Sequence, residues 1–398
     1  MRRGPVRVPG FRFAGVACGL KASGKRDIAL IVSDVPATAV GVFTTNRVKA
    51  APVQLGLERL RAGRVQAILI NSGNANAYTG RDGLAAARGM TALVAERLGI
   101  ATGLVVPSST GRIGVQLPRP RVRRGVLEAL RRLTPDGFHD ALDGIMTTDA
   151  FPKFGVERLR LGGRPATIAI LAKGAGMIAP HMATLLVYVL TDAAVTRAAL
   201  RRALRAALPE SFNAIVVDGD MSTNDTVLLL ANGRAGNRPL TPAARDFRPF
   251  AAAVARLLRR TARMVVKDGE GATKVIDIVV RGARSARDAA RVADAIARSP
   301  LCKTAFYGGD PYAGRIVCAA GYSGARFDPD RLDVWLDDLP IVRRGVEVVG
   351  AIERRASRIA ARPEFRLTLD LHAGRASAMR MASDLTVDYV RFNSDYRT

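Results

Sequence analysis

The stretch from Lys173 to Leu190 reads KGAGMIAPHMATLLVYVL, and it decides how the middle of the chain is interpreted. Its apolar and β-branched end predicts a buried strand over 185–190, with Thr184 directly before it. A threonine hydroxyl at the start of a strand is ordinary as a structural feature. With Ala183 before it and a glycine turn upstream, this hydroxyl is also a candidate nucleophile. In that case the chain would cut itself between Ala183 and Thr184.

Similar runs along the chain predict a mixed α/β fold. Helical periodicity is interrupted irregularly by strand-like runs, which does not favour a single doubly wound parallel sheet. Predicted strands lie at 28–32, 39–43, 66–70, 104–106, 166–171, 185–190, 214–217, 226–231, 274–280 and 366–371. Predicted helices lie at 83–99, 121–133, 196–208, 248–263 and 286–298, the last with Ser285 as its N-cap. The Gly- and Pro-rich segment 231–246 predicts a surface loop.

The bulk composition narrows the class of protein. At 398 residues the chain is long enough for two or three domain-sized units. It has no run of 18 uncharged apolar residues, so no membrane-spanning helix is expected. Arginines and prolines interrupt the apolar residues near the N-terminus, which argues against a signal peptide and favours a cytoplasmic protein. Three scattered cysteines and three histidines predict neither a disulfide framework nor a metal site.

The net charge of +26 raises the alternative of a basic nucleic-acid-binding protein. However, the arginines are spread through amphipathic helices such as VTRAALRRALRAAL and form no block with interleaved aromatic residues. A solvated, arginine-rich surface is therefore the preferred interpretation, and neither nucleic acid nor membrane is expected as a partner.

Two segments imitate known ligand-binding loops. GLKASGK (19–25) fits the phosphate-binding loop pattern until Arg26 replaces the required Ser or Thr, and we interpret it as a polar hairpin turn. DGDMSTND (218–225) resembles a calcium loop, but Thr223 stands where glycine is required and Leu229 where glutamate is required. It predicts a turn that satisfies its own backbone groups, or one that positions substrate.

Other polar segments are candidates for an active site. NSGNANA (71–77) follows a predicted strand, where small residues let the backbone approach a ligand. SSTGRIG (108–114) is interpreted as a loop whose amides, with the Thr110 hydroxyl, could point at an oxyanion. GEGATK places Glu270 between two glycines. His181 invites the role of a base for Thr184, but a loop residue is the preferred interpretation.

Together these segments resemble one family, the ornithine acetyltransferases of cyclic arginine biosynthesis. The similarity covers nearly the whole chain, and nine markers occur in family order. They are GVFTTNRVKAAPV, NSGNANAYTG, SSTGRIG, IMTTDAFPK, KGAGMIAPHMATLL, SFNAIVVDGDMSTNDT, GEGATK, GGDPYAGRI and DYVRFNSDYRT. The resemblance implies a layered αββα-like sandwich of the N-terminal-nucleophile type, with an additional smaller α/β unit.

The resemblance also implies roles for individual residues. Self-cleavage between Ala183 and Thr184 would give an α chain (1–183) and a β chain (184–398), with Thr184 as the nucleophile. Thr110 and Gly111 would form the oxyanion hole. Substrate would be bound by Lys173, Thr184, Glu270, Asn393, Thr398 and a threonine of the pair Thr147–Thr148, between which the sequence does not decide.

The chemistry implied by the resemblance is ping-pong acyl transfer. Thr184 would take acetyl from N-acetylornithine and pass it to glutamate, and its own α-amine, with an ordinary pKa of about 7.7–8.0, would serve as the base. No bound cofactor is expected. Acetyl-CoA as an additional acetyl donor stays open, and the family suggests an α₂β₂ assembly. The main alternative is an N-terminal-nucleophile amidohydrolase or aminopeptidase, which would pass the acyl group to water.

Overall fold

The computed structural model describes residues 4–179, 185–311, 313–348, 350 and 352–395. The predictions made for His181, Ala183, Thr184 and Thr398 lie outside the described residues. Within them the chain forms two mixed sheets with helices packed against them, which confirms the mixed α/β class.

The first sheet has eight described strands, in the order β4-β3-β2-β9-β7-β6-β5, with β1 paired to β2. The second has seven, in the order β13-β12-β11-β14-β10-β15-β8. The strands are β1 (Phe11–Val16), β2 (Ile28–Phe43), β3 (Arg64–Asn74), β4 (Val105–Arg112), β5 (Lys153–Leu161), β6 (Arg164–Lys173), β7 (Leu186–Thr191), β8 (Ile215–Val216), β9 (Thr226–Ala231), β10 (Val275–Ala283), β11 (Asp333–Leu336), β12 (Leu339–Arg343), β13 (Val346–Glu347), β14 (Glu364–Asp370) and β15 (Ala376–Ser383).

The described helices flank these sheets, and the five predicted from periodicity are all present. They are α1 (Ala51–Leu60), α2 (Gly80–Leu98), α3 (Arg119–Arg131), α4 (Phe138–Ile145), α5 (Arg197–Ala207), α6 (Phe247–Lys267), α7 (Ala286–Arg298), α8 (Pro300–Gly308), α9 (Gly314–Gly321), α10 (Glu353–Ala360) and α11 (Val387–Asp395). The N-cap prediction is confirmed, because the Ser285 side chain accepts a hydrogen bond from the Asp288 amide. No described helix is both long and apolar enough to span a membrane.

The core explains why 185–190 is apolar without alternation. Successive strand side chains point to opposite faces, and here both faces are buried. Val187 and Val189 pack with residues of α5 and α6, whereas Tyr188 and Leu190 pack on the other face with Phe138 of α4. A strand that is covered on both faces reads as a continuous apolar run.

Some strand predictions are wrong in their limits. Segments 28–32 and 39–43 belong to one strand, β2, which continues through a register shift between Val32 and Ala37. A bulge absorbs the extra residues without ending the pairing. NSGN, expected to follow a strand, and SSTGR, interpreted as a loop, are strand residues at the ends of β3 and β4. Their backbones pair in parallel even where their side chains are polar.

The hairpin interpretation of 19–25 is confirmed, and the structure shows what its backbone amides bind. The segment joins the antiparallel strands β1 and β2. The Asp27 carboxylate accepts backbone N–H bonds of 2.7–3.2 Å from Cys18, Gly19, Leu20 and Lys21. The amides that imitate a phosphate cradle are therefore occupied by the chain's own carboxylate.

Candidate active site

One cavity collects every described residue that the sequence marked as a site residue. Several separate segments line it, so the site exists only in the folded chain. The lining residues are Ala75, Thr110, Gly111, Ile113, Thr147, Thr148, Lys173, Gly176, Met177, Ser222, Thr223, Asn224, Glu270 and Asn393. Nowhere in the described ranges do three or more His, Cys, Asp or Glu side chains form a group that could hold a metal ion.

Thr110 and Gly111 lie near the end of β4, where the backbone approaches β3 closely. Gly111 pairs with Gly73 and has a φ of +126°. A Cβ added to Gly111 would lie 2.4 Å from the carbonyl carbon of Gly73, so both the conformation and the space require glycine. The buried Thr110 hydroxyl accepts a 3.1 Å hydrogen bond from the Lys173 ammonium.

Lys173 ends β6 and brings a buried positive charge to the cavity. Its side chain has no carboxylate within ion-pairing distance in the described part of the chain, and Thr110 is its hydrogen-bond partner there. Burial lowers the pKa of Lys173, while the negative charge of Asp149 acts in the opposite direction. A buried ammonium without a direct counter-ion is costly for the protein and well suited to receive an anionic ligand.

Glu270 supplies the negative charge of the cavity. Its backbone N–H donates to the Ala175 carbonyl at 3.0 Å, which places the residue beside the glycine turn that follows Lys173. A Cβ added to Gly176 would lie 2.4 Å from Oε2 of Glu270, so glycine is needed here for space. The Asn393 side-chain amide, from α11, donates to the same Oε2 at 3.2 Å.

The threonine pair Thr147–Thr148 lies in the segment before β5, and both residues line the cavity. The Thr147 N–H donates to the Asp149 carboxylate at 2.9 Å, which fixes the backbone of this segment. Since both threonines reach the cavity, the choice between them stays as open as the sequence left it.

The segment DGDMSTND forms the expected turn and contributes residues to the cavity, while its role in positioning substrate stays a prediction. The Asp218 carboxylate accepts backbone N–H bonds from Asp220, Met177 and Ile178 at 2.5–3.0 Å, and burial raises its pKa to about 6. The Asn224 amide donates to the carbonyls of Ala75 and Ser109 at 2.6 and 2.8 Å. The segment thus ties the walls of the cavity together and also contributes to its surface.

Sequence reasoning missed three charged residues behind the cavity wall, Asp149, Lys153 and Asp268. Lys153 forms ion pairs with both carboxylates. The first two residues stand inside the marker IMTTDAFPK, but the third is 115 residues away from Lys153. No local pattern joins them, and only the fold shows the contact.

Comparison with known proteins gives consistent matches over nearly the whole chain. The model of the ArgJ family matches residues 12–398. The arginine biosynthesis bifunctional protein ArgJ of Symbiobacterium thermophilum is 50% identical over 398 residues, which cover 99% of both chains. That of Geobacter sulfurreducens is 49% identical over 393 residues, covering 99% of this chain and all of the relative.

A solved structure is also similar. The crystal structure of the bifunctional ArgJ protein from Bacillus halodurans is 38% identical and superposes with a TM-score of 0.50. The match covers 98% of that solved chain but 52% of this one. Fold, cavity and relatives together define the class of the protein, an acyltransferase of arginine biosynthesis. Within that class the chain belongs to the ArgJ family, which confirms the resemblance.

Proposed function

We propose that this protein transfers an acetyl group from N-acetylornithine to glutamate through an acetyl ester on Thr184. One observation carries the proposal: a single cavity presents the Lys173 ammonium and the Glu270 carboxylate. N-acetylornithine has an α-carboxylate and a terminal ammonium, which these two charges complement. Asn393, Thr398 and a threonine of Thr147–Thr148 complete the proposed substrate contacts.

The proposed chemistry begins with self-cleavage. The Thr184 hydroxyl attacks the Ala183 carbonyl, the peptide C–N bond breaks, and water hydrolyses the resulting ester. The products are an α chain of residues 1–183 and a β chain of residues 184–398. The solved Bacillus halodurans chain supports this step, because 98% of it corresponds to 52% of this chain, about the length of one such fragment.

Acetyl transfer then follows in two half-reactions. The new α-amine of Thr184 takes the hydroxyl proton, the hydroxyl attacks the acetyl carbonyl, and ornithine leaves. Glutamate enters and attacks the acetyl ester with its amino group, which regenerates Thr184. Because the Thr110 hydroxyl accepts from Lys173, its own proton is available to the oxyanion, with Gly111 as the proposed second donor.

Three finer points belong to the same proposal. In a bifunctional enzyme, acetyl-CoA serves as a second acetyl donor beside N-acetylornithine. No cofactor stays bound. The cleaved chains assemble as α₂β₂. The cytoplasm as the compartment of the enzyme also remains a prediction.

The proposal is tested by a denaturing gel with N-terminal sequencing and by an acetyl-transfer assay. Two fragments are expected, the second beginning TLLVYV, while Thr184→Ala should stay intact and inactive. Thr184→Ser retains a hydroxyl and should still cleave, which controls for damage to the fold. An intact wild-type chain, or acetate release from N-acetylornithine at the same rate with and without glutamate, would refute acetyl transfer to glutamate. The second result would favour the amidohydrolase.

A further inference from the structure

The ammonium of Lys153 forms the centre of a buried charge network next to the cavity. Lys153 is fully buried and lies at the start of β5. Its Nζ donates to Asp149 at 2.6 Å and to the Phe151 carbonyl at 3.3 Å, and it also contacts the carboxylate of Asp268. Both carboxylates are themselves almost fully buried, so the Lys153 ammonium offsets one of their two negative charges away from water.

The two carboxylates of this network also hold backbone segments of the cavity. Asp149 accepts N–H bonds from Thr147 at 2.9 Å and from Gly174 at 2.8 Å. Asp268 accepts the Ala150 N–H at 3.1 Å. Gly174 directly follows Lys173 in the chain, and Thr147 lines the cavity. The network therefore fixes the threonine segment against the turn that carries the buried ammonium.

Asp268 extends the same connection to the segment that carries Glu270. It follows α6 and precedes Glu270 by two residues, so its ion pair with Lys153 fixes the segment that carries the cavity's carboxylate. Lys153 and Asp149 come before the proposed cleavage point, whereas Asp268 comes after it. The network is thus a contact between the two proposed chains that would persist after cleavage.

We infer that Lys153 is a positioning residue for acetyl transfer, because its ion pairs with Asp149 and Asp268 set the distance between Lys173 and Glu270. The inference rests on the proposed function, in which those two side chains bind the α-carboxylate and the terminal ammonium of N-acetylornithine. Substrate that spans two fixed charges loses binding when either charge moves by about 1 Å.

The sharpest test removes the ion pair between Lys153 and Asp268 while keeping the net charge of the network. Lys153→Met/Asp268→Asn leaves a single carboxylate, with the same net charge of −1 as the wild-type trio. We expect KM for N-acetylornithine, whose carboxylate and ammonium span the two fixed charges, to rise about tenfold or more, with kcat per active site changing less than about threefold. A merely structural role would lower the amount of active enzyme and leave KM unchanged.

A matched control is available in the second sheet. Arg380 is 7% exposed and forms a bidentate ion pair with Asp294, at 2.6 and 3.0 Å, away from the cavity. Arg380→Met should lower stability without changing the KM for N-acetylornithine. If it raises this KM as much as the double variant does, or if the double variant binds N-acetylornithine as wild type does, the positioning role is refuted.

Two further readouts separate this inference from the proposed function. In Asp149→Asn the charge that raises the pKa of Lys173 is lost, so the alkaline limb of substrate binding should move to lower pH; an unmoved limb contradicts the inference. Amide exchange is independent of the reaction: Thr147, Ala150 and Gly174 should lose protection in the double variant but not in Arg380→Met. If these amides keep their protection in the double variant, the network is refuted even when the enzyme is active. If they lose protection but the wild-type enzyme shows no acetyl transfer, only the proposed function is refuted.

Discussion

Two pairs of oppositely charged residues lie close together in this molecule, and they differ in whether the two charges contact each other. Lys153 and Asp268 are ion-paired behind the cavity wall. Lys173 and Glu270 stand on the cavity surface, where their described side-chain partners are the Thr110 hydroxyl and the Asn393 amide. Both lysines are almost fully buried, at 0% and 3% exposure, so burial alone does not separate them.

The difference shows how a small-molecule site is distinguished from a structural ion pair. When a buried charge is paired with its counter-ion, removal of either partner leaves the other charge buried and unpaired, which destabilises the fold. A buried charge left with only neutral partners costs stability, and the cost is offset when a ligand brings the missing charge. The first pair is therefore expected to respond to mutation in stability, and the second in substrate binding.

The largest expected effect is on stability at Lys153 and Asp268, which we call the closed pair because each side chain has its counter-ion. Lys153→Met leaves two buried carboxylates without their cation, which should lower the free energy of unfolding by about 3–5 kcal/mol. Lys173→Met removes a buried ammonium with no direct counter-ion and should leave that free energy unchanged or higher. Urea unfolding of both variants checks this. Equal destabilisation by the two substitutions would contradict the distinction between the pairs.

The next effect is on activity at Lys173 and Glu270, which we call the open pair because their described side-chain partners are neutral. Lys173→Met should reduce kcat/KM for acetyl transfer by about 10- to 150-fold, corresponding to the ~1.5–3 kcal/mol of a hydrogen bond to a charged group. Lys274→Met is the control, since this buried ammonium binds the carbonyls of Phe306 and Ala360 and does not line the cavity. The control should lose stability and keep its KM. A Lys173→Met enzyme with wild-type kcat/KM would rule out the substrate-binding role.

Acid should weaken the neighbouring ion pair between Lys153 and Asp149 in a defined pH range. Burial raises the pKa of Asp149, but the charges of Lys153 and Lys173 outweigh it and hold that pKa at about 2, below the ordinary 3.8. A depressed carboxyl pKa contributes stability that is present above about pH 4 and is lost as pH falls through 2. The loss should be about 2 kcal/mol and absent in Asp149→Asn. Unfolding free energies measured between pH 2 and 6 test this, and identical acid limbs for both proteins would contradict it.

The open pair was predictable from the sequence, whereas the closed pair was not. Lys173 and Glu270 stand beside glycines in segments that match family markers. The resemblance therefore assigned a substrate-binding role to each of these two residues. Lys153 and Asp268 are 115 residues apart, and each looks like an ordinary surface charge in its own segment. Their pairing depends on β5 meeting the end of α6, which no local pattern encodes.

The fold shows the same division between local and long-range information. Helix α7 (Ala286–Arg298) agrees with the predicted 286–298 at both ends, because Ser285 provides a local N-cap. Strands β11 to β13 were missed, since they are two to five residues long and each has a charged residue at one end. Their strand conformation comes from pairing with β14 and with one another.

The smallest expected effect concerns the space around the open carboxylate. Gly176→Ala would place a Cβ 2.4 Å from Oε2 of Glu270, so the carboxylate must move away from its position on the cavity wall. We expect a loss of about 1 kcal/mol in substrate binding, seen as a ~5-fold rise in KM with little change in unfolding. Gly89→Ala is the control: a Cβ there meets no atom within 4 Å, and in helix α2 it should stabilise by about 0.5–1 kcal/mol. An unchanged KM in Gly176→Ala would mean that substrate binding does not depend on where Glu270 stands, and the open pair would then reduce to Lys173 alone.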